Sequence, residues 1–205
     1  MRLDTMQVDA AIDQLSEIYV QLLRSEVFRG YRSRPIAATA LLAVGGAIAW
    51  PFAPLADGAG FAIWWAAIAI VGVAVCGADV FIHVWQQGSA HERRRALWVV
   101  SQLAPSFAAG VALPFVLLRP EVDGVSLLPG LWALLFGLAV FASRPFLPRA
   151  AGWVGLWYCG SGVLQLWFVA PGIPSPWSMG VTFGVGQALA ALVLRLRLER
   201  PLEAA

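Results

Sequence analysis

Six runs of almost unbroken apolar residues, at 36–55, 60–85, 96–118, 127–143, 151–169 and 177–194, follow one another with only short polar or Arg-bearing joints between them. A bilayer core is crossed by about 20 mainly apolar residues in an α-helix, with a range of roughly 17 to 25. All six runs are long enough; the second is the longest and the fourth the shortest, so tilt and local thinning would adjust them differently. They are continuous, where the strands of a membrane barrel would alternate apolar and polar positions. A helix also satisfies its own backbone hydrogen bonds away from water. The expected fold class is all-α, a polytopic membrane bundle of six transmembrane helices over 35–195.

Composition agrees, because 60% of the 205 residues are hydrophobic and 13% charged, whereas a soluble domain has about 45–50% apolar and about 25% charged residues. Every basic residue is Arg, and the arginines are unevenly spread. Arg24, Arg29, Arg32 and Arg34 precede the first run, Arg93 to Arg95 join the second and third, Arg144 and Arg149 join the fourth and fifth, and Arg195, Arg197 and Arg200 follow the sixth. With Arg2 they fall on one side of a six-span bundle, and Arg119 alone falls on the other. The positive-inside rule then puts both termini in the cytoplasm. Asp57, Glu121 and Asp123 occupy the outer loops, and Trp50, Trp64, Trp65 and Trp177 suit an interfacial belt.

Residues 1–34 are expected to hold a cytoplasmic or interfacial amphipathic helix and a basic flank, with 196–205 as a cytoplasmic tail. Val8, Ile12, Leu15, Tyr19 and Leu22 recur on one helical face within 7–28. That face would lie against the bundle's own helix ends, the membrane surface, the same helix of another copy or a cytoplasmic protein partner. Asp4, Asp9, Asp13 and Glu17 argue against a cleaved secretory leader.

The two halves of the chain resemble each other. A shift of 94 residues aligns Pro35 with Pro129, Leu41 with Leu135, Pro51-Phe52 with Pro145-Phe146, Pro54 with Pro148 and Gly58 with Gly152; a shift of 76 pairs Phe107, Gly110, Leu113 and Arg119 with Phe183, Gly186, Leu189 and Arg195. Three spans are an odd number, so such halves enter the membrane from opposite sides, the 3+3 inverted repeat of many transporters. Abundant Ala, Leu, Gly and Pro would also produce chance matches.

Ionisable groups inside spans are costly and point to function by default. Asp79 is the acid within the second run, with His83 at i+4 and Cys76 at i−3 on the same helix face. Gln102, Tyr158 and Gln187 fall at comparable depth from the Arg-bearing side. Together Asp79, His83, Gln102, Tyr158 and Gln187 are expected either to line a polar cavity in the inner leaflet or to link helices structurally. Gln165 and Thr182 fall near mid-span. Cys76, Asp79, His83 and Cys159 form a weaker set of zinc-ligand candidates, since their spacing matches no metal motif. Gly160-Ser161-Gly162 lacks the frame and the base of a serine nucleophile, and Gly155, Gly180, Gly184 and Gly186 read as close-packing positions. No cofactor or nucleic-acid motif is found.

The strings EVFRGYR at 26–32, FASRPFLPR at 141–149 and SPWSMGVTFGVGQ at 175–187 resemble an uncharacterised family of small bacterial six-helix integral membrane proteins. The resemblance implies a multi-pass protein of the bacterial cytoplasmic (inner) membrane and transfers no catalytic or ligand residue. The leading functional expectation is permeation of a small solute or ion through the polar cavity, in a homo-oligomer or alone; the alternative is a non-transporting scaffold or sensor binding a cytoplasmic partner through 7–28, and the third an intramembrane enzyme acting on a lipid.

Overall fold

The computed structural model describes residues 32–54, 57–86, 90–122 and 124–199. The amphipathic segment at 7–28 lies outside them. Helices are the regular structure throughout the described residues: α1 (Ser33–Ala49), α2 (Gly58–Val80), α3 (Ala90–Leu117), α4 (Leu128–Ala142), α5 (Ala151–Trp167) and α6 (Pro176–Leu194). Five helical segments are long and apolar enough to cross a membrane: Ser33–Phe52, Gly58–His83, Ala96–Leu117, Val125–Ala142 and Pro176–Arg197. At 17 residues α5 is shorter. It stops ahead of Pro171 and Pro174, with Gly172 between them at a φ of 103°.

Local sequence explains the boundaries. Asp57 caps α2 by accepting from the Gly60 N–H at 2.6 Å. Ser175 caps α6, where Pro176 occupies the first turn and forfeits no helical bond. The α1 and α4 helices each run into a 3₁₀ turn, Trp50–Phe52 and Arg144–Phe146, whose Pro-Phe pairs are those aligned by the 94-residue shift. The third apolar stretch begins at Ala96 as expected, and the joint before it is itself helical: α3 starts at Ala90, so Arg93 to Arg95 lie on its first turns.

Each helix packs on the next, and α6 returns to α1, closing a ring. The α1/α6 and α4/α5 contacts are by far the most extensive. Glycine permits the second. A Cβ on Gly162 would lie 2.8 Å from the Gly130 carbonyl oxygen and 3.0 Å from the Leu134 nitrogen, and one on Gly137 would lie 3.1 Å from the Gly155 oxygen. Backbone meets backbone there, which gives dense van der Waals contact without any hydrophobic drive from solvent.

The principal core, Phe61, Trp65, Leu117, Val125, Leu128 and Met179 with Ala47, sits at one end, where α1 and α3 finish and α2, α4 and α6 start. Trp65 is 2% exposed, and Trp50 packs edge-on against Phe61 and Trp64. Trp65 is therefore a core residue, and half-buried Trp64 packs against the edge of that core.

Indole N–H groups join neighbouring helices. Trp64 donates to the Gly46 carbonyl at 3.2 Å, Trp157 to that of Thr182 at 2.9 Å and Trp132 to that of Gly110 at 2.8 Å. The last has a specific cause. Pro114, inside α3, lacks the N–H that would serve the Gly110 carbonyl one turn back, and the Trp132 indole takes its place.

Two outcomes are expected from reversible unfolding in detergent micelles. Gly162→Ala should cost about 1–3 kcal/mol by forcing α4 and α5 apart, whereas Gly160→Ala, which has open space around it, should be neutral or stabilising. Trp132→Phe should cost about 1–2 kcal/mol. That cost should shrink in a Pro114→Ala background, where residue 114 regains its N–H, and a double-mutant cycle reads the difference.

Candidate functional site

At the end of α2 the helix widens into a π-helical turn, Phe81–Gln86. Such turns disturb the regular carbonyl ladder and often mark functional positions. His83 lies inside this one. Its Nδ1 is 2.8 Å from the Asp79 carbonyl oxygen and 3.4 Å from the Asp79 Oδ1. Its Nε2 is 2.6 Å from Nη1 of Arg32, at the start of α1. Guanidinium only donates, so Nε2 is the acceptor, and the tautomer consistent with the network carries its hydrogen on Nδ1. Arg32, His83 and Asp79 thus form a donor-to-acceptor chain that ties the start of α1 to the end of α2.

The Asp79 side chain is 19% exposed and that of His83 33%. The i,i+4 spacing had paired them already. Arg32 was legible only as a topological charge, because its approach depends on α1 and α2 running antiparallel as neighbours.

The other candidates are not gathered around Asp79. Tyr158 is fully buried, its ring 4.6 Å from Phe136 and 5.3 Å from Phe183 between centroids, with the Gly186 backbone directly beneath it. Phe136 also meets Phe107 and Phe183 edge-on. The Tyr158 hydroxyl has no hydrogen-bond partner among the described residues. Gln187 is half-buried on α6, and Gln102 is exposed on α3. Since α2 has at most marginal contact with α5 and α6, Asp79 and His83 stand apart from Tyr158 and Gln187.

Cavities lie elsewhere. A cleft of about 360 Å³ opens at the opposite end, between Gly58, Leu117, Arg119, Val125 and Ile173, and an apolar groove of about 300 Å³ runs between α1 and α6 past Ala40, Val44 and Gly184. Neither is lined by any of the five polar candidates.

The zinc set is likewise divided. Cys76 shares the α2 face of Asp79, while Cys159 packs on Gly137 of α4. Among the described residues no group of three or more His, Cys, Asp and Glu side chains is placed to hold a metal ion.

A different polar unit sits between α5 and α6. Gln165 Nε2 donates to the Thr182 hydroxyl at 2.7 Å, the Trp157 indole donates to the Thr182 carbonyl, and the Ser161 hydroxyl donates back to the Trp157 carbonyl at 2.7 Å. Thr182 is 4% exposed. Gln165 and Thr182 could be placed at mid-span from sequence; their pairing follows only from the facing of two helices. The arrangement joins helices and presents no nucleophile with a base.

If the Asp79 cluster is a helix link, Asp79→Asn should leave stability nearly unchanged, since an amide still offers an acceptor to His83. Asp79→Leu should lower it by about 1–2 kcal/mol, as measured by thermal unfolding in micelles. Compared with known proteins, the chain matches no family model, and no curated protein or solved structure is similar to it.

Proposed function

We propose that the chain is a multi-pass protein of the bacterial cytoplasmic membrane, with six spanning helices and both termini in the cytoplasm, acting as a non-transporting scaffold or sensor. Its cytoplasmic partner would engage the amphipathic stripe at 7–28. One observation carries the choice over permeation. The packed rings of Phe136, Tyr158 and Phe183, with the outward-lying Phe107 edge-on to Phe136, occupy the space among α4, α5 and α6 where a solute path would need a polar wall.

The orientation rests on the Arg asymmetry. A 3+3 inverted repeat is supported by the two Pro-Phe 3₁₀ turns, which follow α1 and α4 at matching positions and at opposite ends of the bundle. The bacterial address rests on the sequence resemblance alone.

Permeation keeps one specific argument in its favour, the partly exposed Asp79 carboxylate held beside His83 and Arg32 inside a spanning helix. Purified protein in liposomes separates the two readings. Flux of protons, small cations and small neutral solutes should equal that of protein-free vesicles. Protein-dependent flux that falls in Asp79→Asn at unchanged protein incorporation would replace the scaffold reading with transport.

A further inference from the structure

Helix α3 is the least enclosed of the five long apolar helices. Within its spanning stretch 6% of residues are buried, against 39% in α6. A single stripe faces the bundle, through Ala96, Val99, Leu103, Gly110 and Leu117. The opposite face carries Gln102, Pro105, Ala108, Ala109 and Ala112, all exposed.

Two polar groups on this helix lack partners at one level. The Gln102 amide makes no hydrogen bond among the described residues. One residue earlier, the Ser101 carbonyl is deprived of its helical donor, because Pro105, four residues on, has no N–H. The Ser101 hydroxyl does not relieve this, since it donates to the Trp98 carbonyl at 2.7 Å. Gln102 lies six residues beyond Ala96, where the apolar stretch begins, and so about 9 Å into it at the rise of an α-helix.

The contrast within α3 is instructive. The same defect at Pro114 is repaired inside the chain by Trp132, whereas no side chain of the described residues donates to Ser101. In hydrocarbon neither group can be left to solvent.

We infer that α3 pairs with α3 of a second copy of this chain about a two-fold axis along the membrane normal. The Gln102 amide of each copy donates to the Ser101 carbonyl of the other. A two-fold places the same residues at the same depth, so one contact gives each Ser101 carbonyl a donor and each Gln102 amide N–H an acceptor. The small side chains of Ala108, Ala109 and Ala112 let the two helices approach closely enough for those bonds to form. The inference rests on membrane insertion and is independent of whether the protein transports.

The test uses the full chain in phospholipid vesicles, with Cys76 and Cys159 replaced by Ser. Ala108→Cys should form an intermolecular disulfide under mild oxidation, while Val163→Cys, exposed on α5, should not. Energy transfer between donor- and acceptor-labelled copies should fall on dilution into lipid, and Gln102→Leu should shift the midpoint about tenfold toward higher protein-to-lipid ratio, as expected for two interhelical hydrogen bonds. Ala112→Trp, on the same face, should weaken pairing without touching Gln102. Flotation of the same samples with the vesicles reports insertion separately.

Monomers at every ratio would overturn the inference, and would point to another segment of the same chain or another protein covering α3. A dimer that ignores both Gln102→Leu and Ala112→Trp, or that links through Val163, would overturn it equally.

Discussion

Backbone carbonyls that accept a hydrogen bond from a side chain of a neighbouring helix fix much of how these helices meet. In a chain this apolar the helices contain almost nothing that could stand in for water, so a polar atom met by a neighbouring helix becomes a fixed point. The Gly110 carbonyl, stripped of its donor by Pro114, is met by Trp132 and thereby ties α3 to α4. Thr182 accepts from both Trp157 and Gln165 and holds α5 to α6. Packing then follows these fixed points: the aromatic cluster around Tyr158 fills the space that the α3/α4 and α5/α6 links define.

Enclosure is unequal around the ring. The α1/α6 and α4/α5 pairs are welded by small residues, while α2 beyond Trp65 and nearly all of α3 present apolar side chains outward, among them Ile70, Val73, Trp98, Val111 and Phe115. Exposed apolar surface of this extent is what lipid or another transmembrane helix would cover, and in water it would be an aggregation hazard. The polar cluster of Arg32, His83 and Asp79 belongs to this loosely packed side. It binds the α1 and α2 ends where few apolar contacts do.

Helix count and limits were legible in the sequence because length and hydropathy determine them, and a cap such as Asp57 or a Pro-Phe turn is a local instruction. The pairing of Asp79 with His83 was legible for the same reason, since four residues on one helix suffice. Direction was not legible. Helices that are apolar on every side carry no amphipathic stripe, so nothing local distinguishes the face of Gln102, which points away from the bundle, from that of Tyr158, which is sealed within it. Arg32, read as a topological charge, required knowledge of which helix lies beside α1. Whether Cys159 comes near Cys76, Asp79 and His83 likewise depends on which helices are neighbours, and α5 has at most marginal contact with α2.

The ring is fastened by its first and last members. Ala40, Ala43 and Ala47 of α1 are buried, and Ala43 and Ala47 lie against Gly180 of α6. Synthesis runs from the N-terminus, so α1 is made well before α6 exists. Until α6 is made, the part of that alanine face that meets Gly180 lacks its native neighbour, and one of the two most extensive helix pairings of the described residues forms last. A surface of small residues on the first helix therefore waits for the last one, and a chain stopped short of α6 would leave it uncovered.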